Sequence, residues 1–122
     1  MSGFRELEVY RRSYVAAKAM YELTKGFPAE EKYGITNQMR RASLSIPMNI
    51  AEGYAKRESQ SELKRFLMMA IGSSNELQVL LEFSKDIGYL EEAQYAKATD
   101  EYEQISRMLN KFIQHLATKS KI

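Results

Sequence analysis

The sequence predicts an all-α protein, an antiparallel up-down-up-down four-helix bundle. Three observations carry that expectation. Apolar residues recur at helical spacing in four separate segments. The breaks between them are short and marked by glycine, proline or a capping serine. No run shows the period of two that a half-buried strand requires. Four amphipathic helices on short connections have few ways to cover their apolar sides, and up-down-up-down packing is the simplest. The helices are expected at about 5–25, 33–55, 60–87 and 91–117 of a single domain spanning residues 1–122.

In the first helix Leu7, Tyr10, Tyr14, Ala17 and Tyr21 recur at a 3,4,3,4 spacing, widened by Met20 and Leu23, and this row is taken as the buried side. The helix should stop at Gly26, which reaches a left-handed cap cheaply, with Pro28 beyond it unable to continue the ladder. The second helix carries Ile35, Met39, Ala42, Ile46, Asn49 and Gly53, with Ile50 beside them, and ends before the polar stretch 56–61. The third opens on Ser59-Gln60-Ser61-Glu62, which fits a capping box. Its stripe is Leu63, Phe66, Leu67, Ala70, Ser74, Leu77, Leu81 and Ser84, and Gly88 closes it. After the turn Gly88-Tyr89-Leu90, Glu91 and Glu92 suit the positive end of a helix dipole. Ala98, Tyr102, Ile105, Leu109, Phe112 and Leu116 then carry the fourth helix, which should fade near Thr118.

Composition narrows the functional classes. Hydrophobic residues at 44% and charged residues at 28% are a globular balance, against both disorder and a membrane protein. No apolar run approaches the roughly 20 residues that span a bilayer, and the opening MSGFRELEVYRR lacks the apolar region of a secretion signal. With no cysteine there is no disulfide or thiolate chemistry, and a cytoplasmic location is expected. A formal charge of +2 is only mildly basic, so its distribution matters more than its total.

The cations are unevenly placed. Arg40 and Arg41 lie on the second helix, Lys56 and Arg57 in the turn after it, and Lys64 and Arg65 early in the third. Over residues 40–65 six cations face three acids, Glu52, Glu58 and Glu62. Such a surface either binds phosphate backbones or is a solvated face of helical ion pairs. A weaker basic stretch comprises Arg107, Lys111, Lys119 and Lys121.

The second helix also departs from a plain bundle. Pro47 removes a backbone donor and meets the carbonyl of Ser43, so a kink is expected, serving either packing or a polar notch with Ser45 and Asn49 that a partner reads. Asn49 falls on a core-type position, where asparagine either fixes register or meets a ligand, and Glu52 follows it one turn on. The small residues Gly72-Ser73-Ser74 are expected to allow close helix packing.

Catalytic patterns are missing. A di-iron bundle needs Glu-x-x-His on two helices, but His115 is the single histidine and Phe112 stands where its glutamate would be. Phosphate loops and nucleophile elbows are absent because the six glycines are dispersed. Nucleophilic catalysis would need a base beside Ser43, Ser45 or Ser73, and only a buried carboxylate such as Glu52 or Glu76 is available. No enzyme, cofactor or metal is expected.

Several strings together carry a resemblance. They are Phe4-Arg5-Glu6-Leu7-Glu8-Val9-Tyr10, Phe27-Pro28, Glu31-Lys32-Tyr33-Gly34-Ile35, Gln38-Met39-Arg40-Arg41-Ala42 and Ser45-Ile46-Pro47-Met48-Asn49-Ile50-Ala51-Glu52-Gly53-Tyr54. Glu62-Leu63-Lys64-Arg65-Phe66-Leu67, Gly72-Ser73, Glu76-Leu77 and Gly88-Tyr89-Leu90 continue them. From Phe4 to about Leu116 the chain resembles the four-helix-bundle family named for 23S rRNA intervening sequences, with Met48 where a small residue is more usual. The resemblance implies a bacterial protein and a ring-shaped homopentamer, and brings no established activity. A similar architecture occurs in an accessory protein of diversity-generating retroelements, which binds nucleic acid and a reverse transcriptase.

Two functional readings follow. The leading one is a non-enzymatic, oligomeric nucleic-acid-binding or scaffold protein, with Arg40, Arg41, Lys56, Arg57, Lys64 and Arg65 as the RNA- or DNA-contacting set and Pro47, Asn49 and Glu52 as structural or interface residues. The alternative is a protein-interaction adaptor presenting Tyr33, Tyr54, Tyr89 and Tyr95.

Overall fold

In a computed structural model that describes residues 3–120, with side chains through Ala117, the first α-helix, α1, runs Glu8–Thr24. A short 3-10 turn at Phe4–Glu6 precedes it and is held by the Leu7 amide donating to the Phe4 carbonyl at 3.0 Å. A second 3-10 turn, Ala29–Glu31, leads into α2, Ile35–Ala55. Helix α3 spans Gln60–Asp86 and α4 spans Glu92–Ser120. Among the described residues there is no strand, and the connections are short enough that successive helices run antiparallel.

Helix α1 packs on α2, α2 on α3 and α3 on α4, while α1 and α4 meet over a smaller area to close the bundle. The core is one cluster in which Met39, Ile46, Ile50, Leu67, Ala70, Leu77, Leu81, Ile105 and Leu109 have no solvent exposure. Burying each Leu or Ile side chain stabilises by about 1.5–3 kcal/mol, so this continuous interior carries the fold. The stripes expected on α2, α3 and α4 are the ones that face it, although Asn49, Phe66, Ala98, Phe112 and Leu116 are only half-buried.

Helix α1 differs. Its inward side is Val9, Ser13, Ala16, Ala17, Met20 and Thr24, whereas Tyr14 and Tyr21 of the expected row point to solvent. The reason is local hydrogen bonding. Ser13 donates to the Tyr10 carbonyl at 2.9 Å and Thr24 to the Met20 carbonyl at 2.8 Å, so both small hydroxyl side chains are satisfied on their own helix and pack inward as if apolar. The helix end also departs from expectation. Gly26 does not take the left-handed conformation; Lys25 closes the last turn by donating to the Glu22 carbonyl, and Phe27 to that of Thr24.

The other ends follow their sequence signals more closely. Ser59 caps α3 by accepting from the Glu62 amide at 3.3 Å, but Glu62 turns to Arg65 rather than back to Ser59, so only half of the capping box forms. Gly88, at φ 88°, is left-handed, and the Tyr89 amide reaches the Ser84 carbonyl while Gly88 reaches that of Lys85, a paired closure of α3. At this end of the bundle the loop before α2 is tied to the loop after α3. Glu31 accepts from the Ile35 amide with one carboxylate oxygen and from the Tyr89 hydroxyl with the other, at 2.8 Å, and Phe27 packs on the Tyr89 ring.

Across α1 and α4, Arg12 donates to Glu101 at 2.7 Å and to Gln104 at 2.9 Å. Across α3 and α4, buried Ser74 donates to the Tyr102 carbonyl and accepts from Ser106. The close helix approach occurs at Gly53 rather than Gly72. A Cβ on Gly53 would lie 2.8 Å from that of Phe66, whereas one on Gly72 would meet nothing within 4 Å among the described residues.

Candidate nucleic-acid interface

The turn between α2 and α3 gathers four of the six expected cations. Helix α2 ends at Ala55 and α3 begins at Gln60, so Lys56 and Arg57 leave the end of one helix while Lys64 and Arg65 stand on the first turns of the next. All four are exposed. Three of them are supported on aromatic rings. The Arg65 guanidinium lies 4.5 Å from the centre of the Phe66 ring, and the Lys56 ammonium lies 5.7 Å from the same ring. Arg57 stacks at 4.3 Å over Tyr54 and donates to its carbonyl. Cation-ring contacts of this kind steady long side chains while leaving their outer edges open to a ligand.

The acids here partly offset the cations. Glu62 accepts two hydrogen bonds from Arg65, which hold its carboxyl below the usual glutamate range and the guanidinium above its own. Glu52 is exposed and lies 3.9 Å from Lys56. Both are surface pairs, which contribute little to stability and which a phosphate can displace.

Arg40 and Arg41 stand apart from this group. Sixteen residues of helix put Arg40 about 24 Å from Lys56. Its guanidinium lies 4.6 Å from the Tyr21 ring and donates to the Thr24 hydroxyl and the Tyr21 carbonyl, so it stitches α1 to α2. Nothing in the sequence signals a pairing between residues that far apart. Arg41 is exposed midway along α2. Of the second basic stretch, Arg107 and Lys111 are exposed on α4; the Lys119 side chain and Lys121 lie outside the described residues.

Pro47 is buried within α2, which continues through it without interruption. The Asn49 side chain donates to the Ser45 carbonyl at 2.8 Å, and the Ser45 and Ser73 hydroxyls are hydrogen-bonded across the α2–α3 seam. Pro47, Asn49 and Glu52 therefore do not form one mutually bonded cluster. Pro47 is core, Asn49 braces its own helix, and Glu52 belongs to the charged turn. Of the four tyrosines, Tyr33 is 86% exposed, while Tyr54 lies under Arg57, Tyr89 is bonded to Glu31, and Tyr95 has the Lys85 ammonium 4.3 Å from its ring.

One further feature has no signal in the sequence. Helices α1 and α4 leave a groove of about 920 Å³ lined by Val15, Ala19, Met20, Leu23, Ala98 and Tyr102. Tyr102 is 1% exposed, and its hydroxyl has no hydrogen-bond partner among the described residues, as is also true of Thr99. Burial raises the Tyr102 hydroxyl pKa above the usual tyrosine value. No group of three or more His, Cys, Asp or Glu side chains converges as a metal site among the described residues, and no helix there is long and apolar enough to cross a membrane.

Comparison with known proteins places this architecture. Residues 5–111 match the family described as 23S rRNA-intervening sequence protein. The chain belongs to that family. Its solved relatives include a protein of unknown function from the S23 ribosomal protein family of Bacteroides thetaiotaomicron, 25% identical, with a TM-score of 0.79 over 87% of this chain and 95% of the other. No curated protein matches. Family membership thus agrees with the bundle and assigns no activity.

Proposed function

We propose that this chain is a non-enzymatic, self-associating protein of the bacterial cytoplasm that binds structured RNA or DNA through its α2–α3 turn. The observation that carries this reading is the turn itself, where Lys56, Arg57, Lys64 and Arg65 are displayed together and three of the four are steadied by Tyr54 or Phe66. Preplaced cations beside aromatic rings suit a phosphate backbone, since less side-chain freedom is given up on binding. Arg40 stays outside this interface because its guanidinium is bonded to α1 far from the turn, while Arg41 belongs to a separate part of the surface.

Self-association strengthens the reading. The homopentameric ring that the family resemblance implied would multiply the chain's +2 fivefold and repeat the turn around an axis. The test is binding to a structured RNA hairpin across a salt series. Affinity should fall steeply with salt, and replacing Arg57 and Lys64 by alanine should reduce the logarithmic salt slope by about 0.9 for each phosphate no longer neutralised. An unchanged slope, or no binding at low salt, would reject the interface.

A further inference from the structure

Helices α1 and α4 meet over a smaller area than the other neighbouring pairs, and the side chains along their seam explain why. Arg12 ties the two helices together through Glu101 and Gln104. Toward the C-terminal end of α1 the seam is lined by short side chains, Ala16 and Ala19 on α1 and Ala98 on α4. The groove they leave, about 920 Å³, falls within the roughly 300–1,000 Å³ of small-molecule sites. Val15 to Leu23 is about 12 Å of helix, room for a molecule of one or two rings. This part of the seam lies in the half of the bundle away from the α2–α3 turn.

The floor of the groove is apolar except at one atom. Ala16 and Met20 are buried, and Tyr102 beside them is 1% exposed, with a hydroxyl that has no hydrogen-bond partner among the described residues. An enclosed hydroxyl without a partner is unfavourable, and phenylalanine would fill the same space without that cost. The Glu101 carboxylate, on the same seam, adds to the rise in the Tyr102 pKa that burial causes. The hydroxyl is therefore within electrostatic reach of the groove, and it stays protonated at neutral pH, able to donate as well as accept.

The rim carries charges that cancel. Glu22, Asp100 and Glu101 line the groove together with Lys97. Arg12 holds Glu101 and Lys25 holds Glu22, so three acids are offset by three cations, and Asp100 also accepts from Gln104. A charged occupant would lose water here and find no unspent counter-charge in return.

We propose that the α1–α4 groove binds an uncharged, largely apolar small molecule with one hydrogen-bonding group, a hydroxyl or a carbonyl, that pairs with the Tyr102 hydroxyl. The apolar body rests on Ala19, Leu23 and Ala98 and supplies the affinity, while the single hydrogen bond fixes the orientation. The unpaired atom belongs to the floor of the groove and not to its rim, which suits a small molecule better than a folded protein surface. This site is additional to the nucleic-acid reading and does not depend on it.

The test is amide NMR of the full chain titrated with four probes that share one ring system: naphthol, naphthalene, naphthoate and naphthylmethylamine. Naphthol should shift the amides of Ala19, Leu23 and Ala98, and should bind about tenfold more tightly than the anionic and cationic probes at neutral pH. It should also bind about threefold to tenfold more tightly than naphthalene, the worth of one neutral hydrogen bond, and Tyr102→Phe should bind these two alike. A purely structural role for Tyr102 would leave that preference in place. Ala19→Trp, which fills the groove from its rim, should abolish binding of both with helical circular dichroism retained. If its helical signal is lost, Ala19→Leu replaces it and should weaken both. No shift in the groove, a charged probe that binds as tightly as naphthol, or a naphthol preference that persists in Tyr102→Phe would overturn the proposal. So would native mass spectrometry in which naphthol breaks up assembly, because the groove would then be the seat of a second copy.

Discussion

Replacing Tyr102 by phenylalanine should stabilise the protein, although it removes the only polar atom of that side chain. The ring is 1% exposed and its hydroxyl has no hydrogen-bond partner among the described residues. The tie from Ser74 ends on the Tyr102 backbone carbonyl, which phenylalanine retains. An unsatisfied buried hydroxyl costs about 1–3 kcal/mol, so Tyr102→Phe should recover an amount in that range. For a chain of this size that corresponds to roughly 4 °C in Tm for each kcal/mol. The pH dependence follows from the same burial, which lifts the hydroxyl pKa above its ordinary value. The folded chain then holds a proton that the unfolded chain releases near pH 10, so this contribution is complete below about pH 10 and is lost as pH rises beyond it. Urea denaturation at matched protein concentration, followed by circular dichroism at about pH 7 and about pH 11, measures both effects. Tyr89, whose pKa is also raised by its bond to Glu31, is common to both proteins and cancels in the difference. A less stable Tyr102→Phe would show that the hydroxyl is satisfied, and an alkaline loss equal to that of the wild type would show that its pKa is not raised; either result refutes the reasoning.

The two helix-interior glycines should respond with opposite sign. Gly53→Ala brings a Cβ to 2.8 Å from that of Phe66, and overpacking of about 1–3 kcal/mol outweighs the helix-propensity gain of about 1 kcal/mol, so a lower urea midpoint is expected. Gly72→Ala adds a methyl group that meets nothing within 4 Å among the described residues and should raise stability by about 1 kcal/mol in the same assay. Arg65→Ala removes the first cause of the lowered Glu62 pKa, so the Glu62 carboxyl should titrate at higher pH by NMR; an unmoved titration would mean that the pair is not formed in solution.

Helices α2 and α3 were the legible part of the sequence because their inward rows are mostly aliphatic and small, so spacing and burial agree. The Ser59 cap was legible for a related reason: its bond to Glu62 spans three residues and is local. The inward side of helix α1 is not legible from spacing because two large tyrosines outweigh Ser13 and Thr24 in the pattern, although the hydroxyls of the latter bond back to the helix and pack inward. The basic group was only partly legible. Lys56, Arg57, Lys64 and Arg65 meet because a short turn forces them together, but the side chain of Arg40 is claimed by Thr24 and Tyr21, a partnership between helices that periodicity does not encode. Likewise, Gly53 and Gly72 look alike in sequence, and only the position of Phe66 tells them apart.

The salt dependence of binding is the most direct test of the central claim that the α2–α3 turn is a phosphate-binding surface. Fluorescence anisotropy of a labelled RNA hairpin, measured from about 50 to 200 mM salt, should give a steep slope for the wild type. It should be shallower for Arg57→Ala/Lys64→Ala and unchanged for Arg40→Ala, provided that Arg40→Ala remains folded. Equal slopes for the wild type and Arg57→Ala/Lys64→Ala, or a reduction confined to Arg40→Ala, would contradict the account.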